Sequence, residues 1–412
     1  MPRSDGIFDV AVIGAGAAGM MTAAVAGQRG LRVVLIDHAE RLAEKIRISG
    51  GGRCNFTNLG TSPAQFLSRN PDFCRSALRA YGPRDFLDLL RTHGVSWHEK
   101  HRGQLFCDDS SESIIDVLRR ECEAGGVAWR MPCAVRSVAR EDGGFMLATE
   151  SGTIRAAQLV LATGGMAIPQ LGATDFSLRV ARQFGLKIVE PRPALVPLTF
   201  DAQAWQPFAA LSGVALEVRL SHEASSPQER TKRHRGPART EFFEDLLFTH
   251  RGLSGPGILQ ISSYWQPGDP IHIDLAPGQA VADILIAAKS GGRQTLLTAL
   301  SGIWPRRLAE AWLSEDSGRR LADIPDRQLR ALGDRIRDWT LWPTGTAGYK
   351  KAEVMSGGVD TGELDQRSLQ AHRCPGLYVI GEAVDVTGWL GGYNFQWAWA
   401  SGVACGRALV RL

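Results

Sequence analysis

Apolar positions gather in short runs near the two ends of this chain and alternate with polar ones in between. The first run, "VAVIGAGAAGMMTAAVAG" over 10–27, is apolar or small throughout. Its opening residues, 10–13, suit a strand buried on both faces of a parallel sheet. Glycines at 14, 16 and 19 then interrupt it, and small apolar residues over 17–29 predict a helix. "LRVVLID" supplies a second buried strand, ending at Asp37. The run is nearly long enough to span a bilayer. However, Asp5 and Asp9 precede it, and a signal peptide needs basic residues there and a cleavage site behind. Strand, turn and helix is what the pattern predicts.

Two later runs also end in glycine: "QLVLATGG" at 158–165 and "GLYVIGEAVD" at 376–385. Both read as strands that return to the edge of the first sheet. From Pro191 the pattern changes. "PRPALVPLTF", "GVALEVRL", "GPGILQISSYW" and "PIHIDL" read as short strands broken by Pro and Gly. Over 276–340 apolar residues recur at i, i+3 and i+4, which predicts helices. "AEVMSGGVD" then returns the chain to the first domain, and 393–409 reads as a buried terminal helix.

Gly14, Gly16 and Gly19 form a GxGxxG fingerprint between a strand and a helix. The first glycine permits a tight turn, the second lets backbone approach a pyrophosphate, and the third packs helix on strand. The helix N-terminus offers N–H groups to the phosphates. Asp37, 18 positions beyond Gly19, is placed to hold ribose hydroxyls. Its charge opposes a cofactor carrying a 2′-phosphate at this site. The fold class is α/β. A Rossmann-like domain is expected in two segments, 1–190 and 345–412. Inserted between them are a β-rich domain at 191–275, with a return segment near 341–353, and a small helical subdomain at 276–340.

Composition narrows the field. The formal net charge is only +4 over 412 residues, and no basic stripe with interleaved aromatics accompanies it. The expectation is therefore no nucleic-acid partner. Seven Cys are scattered without a CxxC pair, so neither a disulfide scaffold nor a metal centre is expected, and reduced thiols fit a cytoplasmic protein. Residues 222–240, rich in Lys, Arg and His, read as a solvated hairpin tip.

The stretch "SGGGRCNFTN" at 49–58 follows the second strand. Residues 50–52 lack Cβ atoms, which suits main chain lying against an extended cofactor. Lys45 and Arg53 can offset phosphate charge. Cys54 lacks a resolving Cys a few positions on, so a thiol packed beside a cofactor is the expected reading rather than a redox dithiol. At the other end, "TGWLGGYNFQWAWASG" sets a glycine pair before the terminal helix. Trp397 and Trp399 fall on different faces of that helix; either one approaches a cofactor while the other packs outward, or both are simply core, as most aromatic residues on such a helix are.

Three stretches, "KIRISGGGRCNFTN", "LLFTHRGLSGPGILQISSYW" and "AEVMSGGVDTGEL…GLYVIGEAVDVTGWLGGYNFQWAWASG", carry a resemblance that spans the chain. The sequence resembles the two-dinucleotide-binding-domain flavoproteins. More narrowly, it is similar to a bacterial NAD(P)/FAD-dependent oxidoreductase family that includes aminoacetone oxidase-like and bile-acid dehydro-reductase-like flavoproteins. The resemblance implies FAD. It implies a cofactor-binding set of Gly14, Ala15, Gly16, Ala17, Ala18, Gly19, Asp37, His38, Lys45, Gly51, Gly52, Arg53, Asn55, Val135, Thr163, Gly164, Gly381, Glu382, Gly392, Tyr393, Asn394 and Phe395. Glu382 would lie near the ribityl hydroxyls. The amides of Asn394 and Phe395 would face the pyrimidine edge of the flavin, where the positive helix end favours the anionic reduced ring.

The expected function is a FAD-dependent oxidoreductase. Hydride passes through flavin N5 between NAD(P)H or a small organic donor and an unsaturated or carbonyl acceptor. No second nucleotide fingerprint is present, so NAD(P)H would bind only transiently. The sequence assigns no catalytic acid or base, and flavin chemistry does not require one. Two other readings stay open: an oxygen-using amine or aminoketone oxidase, and a non-catalytic FAD-binding redox sensor or interaction protein. The expected partner is a small-molecule substrate, with no nucleic acid and no membrane.

Overall fold

The structure is a computed structural model that describes residues 7–223 and 239–411. Most of the basic stretch read as a hairpin tip, 224–238, lies outside the described residues. Contacts divide the chain into two compact units, Met1–Arg192 with Val354–Leu412, and Pro193–Glu353.

The first unit is built on a seven-stranded sheet. Strand β1 (Ile7–Ile13) leads through a glycine turn into helix α1 (Ala17–Gln28), and β2 (Val33–Ile36) follows. The sheet order is Ala128–Arg130, β2, β1, Gly152–Leu161, Gly144–Thr149, Val135–Glu141, with Leu377–Val379 also on Gly152–Leu161. The pairings of β1 with β2 and with Gly152–Leu161 are parallel, as is that of Gly152–Leu161 with Leu377–Val379. Their registers are aligned. Ile13 pairs with Ile36 and with Leu161, and Leu161 pairs with Val379. Four strands therefore end on one line, and each hands its next residues to the same edge. That is where open α/β sheets bind ligands.

Burial explains the composition of these elements. Val10, Ala11, Val12 and the whole of β2 are shielded from solvent, as interior strands of a covered parallel sheet are, and α1 packs against both strands. Helix α1 has no polar face: nine of its residues are buried. It packs on the C-terminal helix Tyr393–Ala408. The approach is close because Gly402 and Gly406 lack side chains. A Cβ at Gly402 would stand 2.7 Å from the Ala18 carbonyl oxygen, and one at Gly406 2.8 Å from Val25 Cβ. Thr22 Oγ1 donates to the Gly402 carbonyl at 3.0 Å across the same seam. The strand β3 (Asn55–Asn58) pairs with Gln104–Cys107, which pairs with Trp97–His101, to make a three-stranded antiparallel sheet in the same unit.

The second unit holds a seven-stranded antiparallel sheet, ordered Trp339–Leu341, Ile271–Asp274, Ala215–Glu223, Arg239–Thr249, Gly252–Ser254, Leu198–Thr199, Gly345–Thr346. Aromatic rings fill part of its core: Trp205 stacks on Phe200 with centroids 4.7 Å apart, and Phe248 lies parallel to Trp339. Helices Val281–Ala288, Arg306–Leu313 and Asp326–Arg337 occupy the stretch where helical spacing was expected. One expectation fails here. The stretch "GPGILQISSYW" is not a strand. It forms the helix Pro256–Ser262, with Pro256 in its first turn and Gly255 at φ 89° leading into it. Proline's fixed φ and missing N–H suit a first helical turn, and only glycine takes that entry angle without strain.

Candidate nucleotide site

The fingerprint glycines divide by what surrounds them. A Cβ on Gly14 would collide with the Ala162 carbonyl, and one on Gly19 with the Gly14 carbonyl oxygen. Both are small because protein fills the space. A Cβ on Gly16 would meet no protein atom within 4 Å, and the same holds for Gly51 and Gly52. At those three positions the space beside the backbone is open. Gly16 caps α1 without a side-chain hydrogen bond, so the N–H groups of the first turn, including those of Ala17 and Ala18, have no partner inside the helix. Such N–H groups are the kind that receive a pyrophosphate.

Asp37 follows β2 and closes the turn. Its Oδ2 accepts the Ala15 N–H at 2.6 Å, and its Oδ1 accepts the Ala39 N–H at 2.9 Å. His38 is half-exposed, with Nδ1 3.7 Å from Asp37 Oδ1. The Cys133 N–H donates to the Asp37 carbonyl at 2.7 Å, which draws the chain just before Val135 to the same place. Past Leu161, the Ala162 N–H donates to the Ile13 carbonyl at 2.8 Å, and Thr163 Oγ1 lies 2.6 Å from Ser177 Oγ. Gly164 adopts φ 74°, and a Cβ there would sit 3.6 Å from Glu382 Oε2.

Glu382 joins distant segments. Its Oε2 receives Lys45 Nζ at 2.8 Å and its Oε1 the Met355 N–H at 2.8 Å. The adjacent Gly381 packs on α1, where a Cβ would stand 3.0 Å from Ala18 Cβ. Its N–H donates to Ser401 Oγ at 3.1 Å, and its carbonyl accepts the Trp397 indole N–H at 3.0 Å.

Asn55 begins β3 and faces the start of the C-terminal helix. Gly392, at φ 95°, has no room for a side chain against the Thr57 carbonyl. A Cβ there would also come within 2.9 Å of Asn55 Oδ1. That Oδ1 is buried and has no hydrogen-bond partner. A buried orphan acceptor is costly, and a ligand N–H, such as that of a flavin ring, would satisfy it. Asn394 is engaged by its side chain: Oδ1 accepts the Gly388 N–H at 2.8 Å, and Nδ2 donates to the Gly388 carbonyl at 2.9 Å. Its amide and those of Tyr393 and Phe395 fall in the uncapped first turn of the helix. Tyr393 is buried edge-on to Phe66, and Phe395 stacks on Trp399. Arg53 is exposed on the rim.

Of the two readings of Trp397 and Trp399, the structure shows the core one. Both are buried, and Trp399 donates its indole N–H to the Phe56 carbonyl at 2.8 Å while stacking on Phe86. Large rings on a helix covered on every side have no outward direction. Cys54 is also buried, at φ 49°, and desolvation pushes its thiol well above the ordinary range. Cys107 lies on the neighbouring strand, and burial pushes its thiol up to about 12. Sequence spacing missed Ser177, Met355, Gln104 and Asn58. Each acts through isolated tertiary hydrogen bonds or close contacts, which leave no periodic trace.

The HI0933-like protein Rossmann domain family matches residues 8–408, and the chain belongs to that family. It is 46% identical to the ribosomal RNA dihydrouridine synthase of Escherichia coli K12, over 98% of each chain. It is 41% identical to the protein of the same name from Haemophilus influenzae Rd, over 97% of this chain and 98% of that one. The 3-dehydro-bile acid delta(4,6)-reductase of Clostridium scindens is 27% identical, over 97% and 98%. The flavoprotein resemblance stands: this is a flavin-dependent enzyme of the oxidoreductase class, with FAD as its cofactor.

The RNA-modifying relatives overturn the expectation of a small-molecule substrate without nucleic acid. A whole-chain charge of +4 sums 47 cations against 43 acids. Such a sum conceals local clusters, whereas RNA binding depends on where cations lie. Among the described residues, no helix is long and apolar enough to cross a membrane.

Proposed function

We propose that the protein reduces a uracil base of ribosomal RNA to its 5,6-dihydro form, with FAD carrying the electrons and NAD(P)H supplying them. The single observation behind this reading is the 46% identity, over 98% of each chain, to an enzyme named for that product. Net, the C5=C6 bond gains a hydride and a proton, and NAD(P)H becomes NAD(P)+. The more distant relative is named as a reductase of a 3-dehydro bile acid at delta(4,6). Both names describe a C=C bond conjugated to a carbonyl, so one hydride chemistry serves both, and the substrate class differs. A ribosomal RNA substrate would place the protein in the cytoplasm.

When bound, FAD supplies a hydride donor at N5. This chain's residues would hold it. Gly16 and the first turn of α1 would receive the pyrophosphate, with Lys45 and Arg53 offsetting its charge. Asp37 would take the ribose, with His38 and Val135 beside it. Thr163, Gly164, Gly381 and Glu382 would border the ribityl chain, and Gly51, Gly52 and Asn55 would lie along it. The first-turn amides of Tyr393, Asn394 and Phe395, with Gly392 admitting close approach, would stabilise negative charge on the reduced ring. No acidic side chain is needed for that role.

The test uses purified protein, in vitro transcribed ribosomal RNA and NADH or NADPH. Base-specific RNase digestion and mass spectrometry of the fragments should show dihydrouridine at one position. Reduction of a small enone with no change in the RNA would overturn the reading.

A further inference from the structure

We infer that Gln104 is a positioning residue for the cofactor: it turns the Asn55 carboxamide so that Oδ1 faces the N–H of the flavin ring. This rests on the proposed flavin placement. Asn55 Nδ2 donates to Gln104 Oε1 at 3.4 Å. That bond occupies the donor end of the Asn55 amide. The acceptor end is the buried Oδ1 that has no hydrogen-bond partner. A carboxamide has one donor end and one acceptor end, so holding the first aims the second.

The backbone brings the two amides together. Asn55 pairs with Phe106, and Gln104 lies two positions before Phe106 on the same strand. Residues two apart on a strand share a face, and diagonal neighbours across a pair are within reach of long side chains. The register shifts between Asn55 and Thr57, as at a β-bulge, which re-aims side chains. Asn55 and Asn58, three positions apart, both reach the loop 391–392 as a result. Asn58 Nδ2 donates to the Gly391 carbonyl at 3.0 Å and holds that loop. Each glycine of the pair then clears room for one amide. A Cβ on Gly391 would stand 2.8 Å from Gln104 Nε2, and one on Gly392 2.9 Å from Asn55 Oδ1.

The chemistry of the ring sets which end of Asn55 should face it. The first-turn amides of Tyr393, Asn394 and Phe395 are donors, suited to the ring's carbonyl oxygen and N1. Oxidised flavin carries one N–H, at N3 on the same pyrimidine edge, and that group needs an acceptor. Turned the other way, Asn55 would add a donor to a row of donors and leave the N3–H unpaired, which is costly in a buried site. Packing against Gly391 alone would use the length of Gln104 and not its oxygen.

The test measures the dissociation constant of oxidised FAD at neutral pH by equilibrium dialysis against the full-length protein stripped of flavin. Wild type is compared with Gln104→Met, Gln104→Glu, Asn55→Ala and Asn55→Ala/Gln104→Met. Methionine keeps the length and loses the acceptor, so binding should weaken about tenfold. An ionised glutamate can only accept from Asn55 Nδ2, so Gln104→Glu should bind within about threefold of wild type. In the Asn55→Ala background the acceptor is already gone, and adding Gln104→Met should weaken binding by less than about twofold. A loss as large in Gln104→Glu, or one undiminished in the Asn55→Ala background, would overturn the inference and leave the flavin placement intact. So would wild-type affinity in Gln104→Met beside a loss in Asn55→Ala. Wild-type affinity in both single variants, Gln104→Met and Asn55→Ala, would overturn the placement as well.

Discussion

Lys45 and Glu382, 337 positions apart, meet at 2.8 Å. The lysine comes from the helix Glu44–Ile48 beyond β2, and the glutamate from the turn after Leu377–Val379. Both side chains are partly exposed, so the pair adds at most about 1 kcal/mol to stability. Its larger effect is to hold Glu382 between Lys45 and the Met355 amide. Glu382→Ala should lower the thermal midpoint only slightly while weakening FAD binding about tenfold, by analogy with the loss of one charge-assisted contact. Thermal shift and equilibrium dialysis of flavin check this. Equal flavin affinity in the variant would exclude a cofactor role for the pair.

Gly16 and Gly19 should separate cofactor space from packing space. Gly16→Ala adds a methyl that meets no protein atom, so the apoprotein should melt within about 0.5 kcal/mol of wild type and retain little FAD. Gly19→Ala drives a methyl into the Gly14 carbonyl and should destabilise the apoprotein by about 1–3 kcal/mol. Urea unfolding of both apoproteins reads the difference. A stable Gly19→Ala protein would show that α1 can shift away from the turn.

Asp385 predicts a pH effect. It is buried, accepts the Arg69 N–H at 2.9 Å, and burial pushes its carboxyl up to about 6. Its folded pKa therefore lies above its unfolded value. The stability it contributes is complete below pH 4 and is lost as pH rises through 6, because the folded state holds the proton longer. Asp385→Asn should flatten that decline and make the apoprotein about 1–3 kcal/mol more stable at pH 7. Unfolding curves at pH 4 and pH 7 test the sign. A gain over wild type that is larger at pH 4 than at pH 7 would contradict it.

Cys54 should be chemically silent. Burial raises its thiol, and Cys74, Cys107 and Cys122 reach about 12 by the same cause. Thiolate is the reactive form, so iodoacetamide at pH 8 should leave these four unlabelled in the folded protein. Cys54→Ser should still allow NAD(P)H to bleach the flavin. Loss of bleaching in that variant would revive a dithiol route.

Much of the first unit was legible because its signals are local. The run at 10–13, the fingerprint glycines and Asp37 each sit where strand, turn and acid are needed, and register does the rest. The helix Pro256–Ser262 was misread because its short apolar run lacks a period long enough to distinguish helix from strand. Asn58 and Gln104 were invisible, since a single polar side chain reaching a distant carbonyl has no sequence signature. The kinship with RNA-modifying proteins left no trace in composition, because a whole-chain charge sums 47 cations against 43 acids and discards where each lies.

The aligned strand ends also constrain when the protein can mature. Leu377–Val379 and the helix Tyr393–Ala408 complete the edge that β1 begins, so translation must pass through the whole Pro193–Glu353 insertion first. A nascent chain halted anywhere before residue 377 would carry the fingerprint yet lack Glu382 and the final helix. If the proposed site holds the flavin, its capture would be a late event in biogenesis, and contacts this distant in sequence make assembly slow.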